Sequence, residues 1–250
     1  MSGAALLPRF WHRALKARLR DQRAEIRSLA AAIRPGEAAA DVGAHKGAYL
    51  PWLSRAAGAE GLVVAFEPQP DLARYLGRAC RAAGLSNVRV EEAGVSDAPG
   101  ARRLHVPGEA GPSPGASFEP AVAAASAGRA LEARVVALDA YFSGERRRVA
   151  AVKIDVEGHE LAVLRGAERL LERDRPLVVF ESEARHAGEE GLALALAFFS
   201  ERGWTGSFVR RGRLVPLAEF DPAVDQRRGP GRFWDAPDYC NNFVLRKARG

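Results

Sequence analysis

Three groups of residues in this chain have the types and spacing of a ligand site. The first is Asp41-Val42-Gly43-Ala44-His45-Lys46-Gly47, a glycine-punctuated turn that follows an apolar run. The second is Glu67, the acid that ends Val63-Val64-Ala65-Phe66. The third is Asp155-Val156-Glu157-Gly158-His159, two carboxylates and an imidazole directly after Val152-Lys153-Ile154. A loop that lets backbone approach a ligand, followed by a carboxylate at the tip of the next strand, is how doubly wound folds hold an adenosine-containing cofactor.

The glycines narrow the choice of cofactor. A dinucleotide would want G-x-G-x-x-G, because a pyrophosphate needs very close backbone; here only Gly43 and Gly47 are present. A phosphate-gripping loop would end Gly-Lys-Ser/Thr, and Lys46-Gly47-Ala48 has the order reversed. An adenosine cofactor without phosphates, S-adenosylmethionine, fits better. Gly43 would let its methionine portion lie against the backbone, and Glu67 would accept hydrogen bonds from both ribose hydroxyls. Taken singly, the glycines also read as a plain strand-to-helix turn and Glu67 as a solvated strand end. In this order and at this spacing they support one another.

Methyl transfer to a hydroxyl requires alignment and the loss of a proton, and a positioned base contributes about 10²–10⁴-fold. Asp155, Glu157 and His159 are the candidates. They share one short turn at the carboxyl end of the sheet, where open α/β sheets bind ligands. Asp155 is the first choice for placing the acceptor or the cofactor amine; the alternative is a helix N-cap. His159 has the most suitable intrinsic pKa; the alternative is a surface histidine at a helix start. Glu181 and Glu183 end the next strand near the same cleft. Asp155, Glu157 and Glu181 are oxygen donors of the kind magnesium takes, but no ligand spacing requires it. The isolated cysteines and unpaired histidines exclude zinc, so no metal is expected.

The elements that must position these residues alternate strand and helix. Strands are expected at 38–42, 62–66, 88–92, 149–154 and 177–180, with helices at 48–57, 70–83 and 191–202. Two last strands, 205–209 and 243–246, make an antiparallel edge. The fold predicted is α/β, a Rossmann-like doubly wound sheet, mostly parallel. Residues 37–250 form this domain, with a segment at 98–148 inserted between the third and fourth strands. That insertion holds strands at 102–106 and 133–138 around a Gly/Pro/Ser-rich loop, 108–120. A second irregular loop spans 221–240. Insertions of this length are functional or disordered.

Residues 1–36 form an N-terminal basic amphipathic segment, helical over 6–33. Leu7, Trp11, Leu15 and Leu19 form its expected buried stripe. Arg9, Arg13, Lys16, Arg20, Arg23 and Arg27 lie on the other face. It reads as a helix packed on the main domain, or as a membrane-surface helix or substrate lid. The chain has 250 residues, 47% of them hydrophobic, enough for one sizeable core. Its net charge is +6, and only four of 37 basic residues are lysine. This permits an anionic substrate without demanding one. Cys80 and Cys240 lack any redox or ligand spacing, which fits a reducing cytoplasm. No apolar run is long enough to span a bilayer.

The run Val152-Lys153-Ile154-Asp155-Val156-Glu157-Gly158-His159-Glu160, with Val163-Leu164-Arg165-Gly166-Ala167 behind it, closely resembles the signature of FkbM-type methyltransferases. The resemblance extends over about residues 37–183 and includes the Asp41–Gly47 loop, Phe66-Glu67-Pro68 and Val136–Tyr141. It implies an S-adenosylmethionine-dependent enzyme of class I methyltransferase fold. Asp41, Gly43, Ala44, His45 and Gly47 would form the cofactor loop, and Glu67 would hold the ribose. Gly94, Val95 and Ser96 would lie against adenine. Asp155 and Glu157 would stand where donor and acceptor meet. His45 replaces the family's usual asparagine and Gly94 its usual alanine; a charged imidazole beside a sulfonium is unfavourable, so His45 is expected neutral or turned away. The activity implied is O-methylation of a small molecule or a sugar on a glycan. The alternatives are a nucleic-acid methyltransferase and a non-catalytic binding module. Against the former, the strand tip lacks an Asn/Asp-Pro-Pro-aromatic turn.

Overall fold

The computed structural model describes residues 6–125 and 127–248. Its centre is an eight-stranded sheet. Five parallel strands, β1 (Ala38–Val42), β2 (Leu62–Phe66), β3 (Val88–Glu91), β7 (Val149–Ile154) and β8 (Leu177–Glu181), stand in the order β3-β2-β1-β7-β8. The first strand's neighbours are thus β2 and β7, so the ends of β1, β2 and β7 lie side by side. Every residue of β1, β2 and β7 is buried. Both sheet faces are covered by helices, which is why these strands read as unbroken apolar runs. Their side chains alternate between two cores: Ala38, Ala40, Val42, Val64 and Phe66 join one, Ala39, Val63 and Ala65 the other.

The antiparallel pairing gathers at one side of the sheet and includes its edge strand, as expected. β11 (Asn242–Lys247) sits antiparallel between β8 and β9 (Trp204–Arg210). The edge beyond β9 is β10 (Arg213–Pro216), which the sequence did not announce: it is a short hairpin arm turned at Arg211-Gly212, both at positive φ. The insertion forms a separate three-stranded sheet, β4 (Gly94–Val95), β6 (Gly128–Val136) and β5 (Gly100–Pro107), in that order. The strand expected at 133–138 therefore ends two residues sooner and begins earlier, pairing along its length with β5.

Helices α3 (Leu50–Ala57) and α4 (Pro70–Ala82) follow β1 and β2. Pro70 opens α4 and Gly84, at φ 70°, lets the chain leave it. The turn after β7 leads into two short helices, α7 (Glu160–Arg165) and α8 (Glu168–Asp174). Here α5 and α6 denote Pro120–Ala125 and Leu138–Tyr141 in the insertion. Within α9 (Ala184–Ser200), Gly188 at φ 74° separates a first helical turn from the helix expected at 191–202, which ends at Ser200.

At the N-terminus, α1 (Leu6–Lys16) runs through a π-helical turn, Ala17–Asp21, to α2 (Arg23–Ala32). The buried stripe differs from the one expected. Leu6, Phe10, Ala14 and Ala17 face inward, while Leu15 and Leu19 are 44% and 68% exposed. Two parallel rows share the same i, i+4 spacing, and the row with alanines allows the helix closer to its support. Trp52 of α3 donates its indole N–H to the Ala14 carbonyl at 3.0 Å.

Candidate functional site

The tips of β1, β2 and β7, the start of the insertion's sheet and the insertion loop line a cleft. Val42, Gly43, His45, Glu67, Gly94, Val95, Asp155 and Glu157 line it, so much of the sequence-predicted set converges. Ala44, Gly47, Asp41, Ser96 and His159 do not line it, and each has a different structural position.

The loop after β1 is built on left-handed backbone. Gly43, His45 and Gly47 have φ of 74°, 47° and 76°. Histidine is among the few non-glycine types enriched there, as asparagine is, which accounts for His45. Burial, then the charge of Lys46, pushes its pKa down to about 4, so it is neutral as expected; its Nε2 is buried with no hydrogen-bond partner. Gly43 is needed for packing: a Cβ would lie 1.8 Å from the Asp155 carbonyl oxygen. Gly47 packs against Leu76 and Phe10, tying the loop to α4 and α1. The Gly43 and Ala44 N–H groups both donate to the Phe66 carbonyl, locking the loop to β2.

Glu67 is 2% exposed. One carboxylate oxygen accepts from the His45 N–H at 2.8 Å, the other from the Gln69 N–H at 2.9 Å. Each retains a lone pair for a further donor. Burial pushes its pKa up to about 7, against the pull of the two N–H groups.

Lys153, which sequence reasoning passed over, ties the centre together. Its buried ammonium lies 3.3 Å from Asp41 and 3.4 Å from Asp155 and donates to the Gly43 carbonyl at 2.7 Å. Asp41 is wholly buried, and neither carboxylate oxygen makes a hydrogen bond. Burial pushes its pKa up and Lys153 opposes the shift. Asp155 is different: its side chain is 30% exposed and reaches the cleft. It does not cap a helix, since α7 begins at Glu160 and its N-cap residue is His159.

His159 is neither a surface residue nor a free base. It is 4% exposed, with Nε2 2.9 Å from the Ser96 hydroxyl and Nδ1 2.5 Å from the Glu119 carboxylate. Both ring nitrogens are occupied, so the base role expected for it has no nitrogen to act through. Ser96 is likewise withdrawn from the cleft, its hydroxyl donating to Asp97. Glu157, at φ 53°, pairs its carboxyl with His186 of α9; burial raises its pKa. Glu181 and Glu183 are held by Asn241, and Glu183 also by Arg185 and Tyr239. Among the described residues, no three His, Cys, Asp or Glu side chains converge as a metal would require.

The insertion loop, expected to be irregular, is latched over the cleft. Gln69 exchanges two 2.9 Å hydrogen bonds with the Ser113 backbone, and Ser117 donates to the Glu157 carbonyl at 2.6 Å. Phe118 lies across Gly94, whose missing Cβ leaves room for the ring. Leu104, Pro114 and Ala116 complete this apolar wall. Nothing in the local sequence pattern marks these residues, because they are brought in by a separate sheet.

The sheet order and the cleft at the strand tips are those of the class I methyltransferase fold. The chain belongs to the FkbM family: the family model described as "Methyltransferase FkbM domain" matches residues 41–210. Among solved structures, the chain is similar to methyltransferase FkbM from Methylobacillus flagellatus KT, with TM-score 0.52 and 17% identity. That match covers 98% of this chain and 60% of the other, so this chain spans under two thirds of that relative's length. Cofactor-bound Rv0187 from MTB matches with TM-score 0.53 and 17% identity, over 97% and 89% of the two chains. An rRNA methylase from Streptococcus thermophilus matches with TM-score 0.50 and 13% identity, over 90% and 94%. At these identities the structures show the shared fold alone. No curated protein sequence matches. No helix among the described residues is long and apolar enough to cross a membrane.

Proposed function

We propose that this chain transfers a methyl group to a hydroxyl of a small molecule or glycan sugar, with Asp155 as the base. The observation that carries this is the contrast at the tip of β7. Glu157 is engaged by His186 and His159 by Ser96 and Glu119, while Asp155 alone of the three presents a carboxylate held only by Lys153.

The residues present fit the cofactor. Glu67 has lone pairs left for two ribose hydroxyls, and Gly94, Val95, Leu104 and Phe118 make an apolar slot for adenine. Asp41, wholly buried and paired with Lys153, supports the loop from beneath rather than lining the cleft. S-adenosylmethionine supplies the methyl group and a positive sulfonium, which an acid-lined cleft favours. Asp155 takes the hydroxyl proton at its carboxylate. Lys153 positions Asp155 and, through the Gly43 carbonyl, the cofactor loop. Phe118 and the latched loop exclude water, so alignment rather than strong base chemistry supplies much of the rate. Residues 37–250 form the catalytic unit in this reading, and residues 1–36 its basic appendage.

Incubation of labelled S-adenosylmethionine with fractionated lysate tests the reading. Label should enter small molecules or glycans, and Asp155→Ala should lower turnover by about 10²-fold or more with cofactor affinity retained. Label in RNA, or full activity of the variant, would overturn it.

A further inference from the structure

Residues 6–33 carry seven basic residues and two acids, and hence most of the chain's net charge of +6. Of the two acids, only Asp21 offsets charge on the outer surface. Glu25 is buried, and Asp21 is taken up by Lys16 and Arg20. Arg9, Lys16, Arg20, Arg23 and Arg27 are exposed. Among them stand Leu15 and Leu19, two of the few large apolar side chains that the fold leaves in water.

The inner face of the same helix has no slack. Phe10 packs on Gly47, Arg13 donates to the Tyr75 hydroxyl at 3.1 Å, and Trp11 meets Trp52 edge-on. The exposed leucines are therefore not a core stripe awaiting rotation of the helix. The segment is amphipathic twice: one apolar row fixes it to the domain, and a second, ringed by arginines, faces out.

We propose that this outer face of α1 and the π-helical turn docks on an anionic phospholipid surface. A lipid surface meets both halves of the chemistry: headgroup charge for the basic residues, and an acyl boundary for the leucines, with the long arginine stems bridging the two. Nucleic acid would satisfy the arginines and leave the leucines in water. Because Phe10 touches the cofactor loop, docking would hold that loop within about one helix diameter, ~10 Å, of the membrane. A methyl acceptor anchored in lipid would then be presented beside the cleft.

Co-sedimentation of the full chain with vesicles tests this without cofactor or acceptor, so its outcome is independent of the catalytic reading. The chain should bind equimolar phosphatidylserine–phosphatidylcholine vesicles, and phosphatidylcholine vesicles at least about 10-fold more weakly, with added salt releasing it. Leu15→Glu with Leu19→Glu should weaken binding by about 10-fold or more. Arg23→Glu with Arg27→Glu should do likewise through charge alone. All four positions are exposed, and unchanged circular dichroism confirms folding. Equal binding to both vesicle types, or no binding, overturns the proposal. So does RNA binding lost with the arginines and indifferent to the leucines.

Discussion

In its proposed ribose role, the buried Glu67 couples cofactor binding to pH. Its carboxyl titrates near 4.5 when unfolded and at about 7 in the folded protein. Only the ionised form can accept two backbone N–H groups and two ribose hydroxyls together. A group raised in this way stabilises the ligand-free fold below its unfolded pKa, and that contribution is lost as pH rises through about 7. Ligand binding has the opposite sign: S-adenosylhomocysteine affinity should increase from about pH 6 to about pH 8 and then level off. Isothermal titration across that range checks it, and a flat profile would mean that Glu67 is ionised throughout or does not meet the ligand. At this scale the sequence was most legible where residue type and backbone demand coincide, at Gly43, Glu67 and Asp155. It misled at His159, whose favourable intrinsic pKa says nothing about two ring nitrogens already spent on Ser96 and Glu119. Lys153 was invisible because a lysine within an apolar strand acquires meaning only from Asp41 on the neighbouring strand, 112 positions earlier.

Secondary elements place these residues through contacts between strand ends. Asp41 pairs in register with Lys153 and with Ala65, so loop, ammonium and second strand are fixed relative to one another. The closest approach is Gly43 against the Asp155 carbonyl. Gly43→Ala would put a Cβ at 1.8 Å from that oxygen and force an L-residue into φ 74°. The expected cost is about 2–4 kcal/mol of stability, together with weaker cofactor binding. Denaturant unfolding measures it, and a variant as stable as the parent would show that the junction can relax. The main strands were readable because burial on both faces gives continuous apolar runs. The two-residue β4, the β10 hairpin and the short α7 and α8 were not. Segments of that size carry too little periodicity, and long-range pairing creates them. The α1 register failed for a related reason: two rows had equal spacing, and alanine rather than leucine marked the inner one.

Across the whole molecule, the cleft is a joint product of the doubly wound sheet and the inserted one. The sheet supplies the acids and the glycine loop; the insertion supplies Leu104, Pro114, Ala116 and Phe118 and closes the apolar side. Alternation of strand and helix along the chain foretold the first part. The second had no local signature, since the Gly/Pro/Ser-rich stretch becomes a wall only when Gln69, Glu157 and His159 hold it down. The charge also divides by region, with acids around the strand tips and arginines on the N-terminal helices. That division suits a sulfonium at one place and an anionic surface at the other.

Calorimetric titration of S-adenosylhomocysteine into the parent chain and into Glu67→Ala, at a pH where Glu67 is ionised, tests the central assignment most directly. Loss of two ribose contacts to a charged acceptor predicts affinity lower by about 10-fold or more, with the variant still folded. Equal affinity would contradict the placement of the cofactor in this cleft.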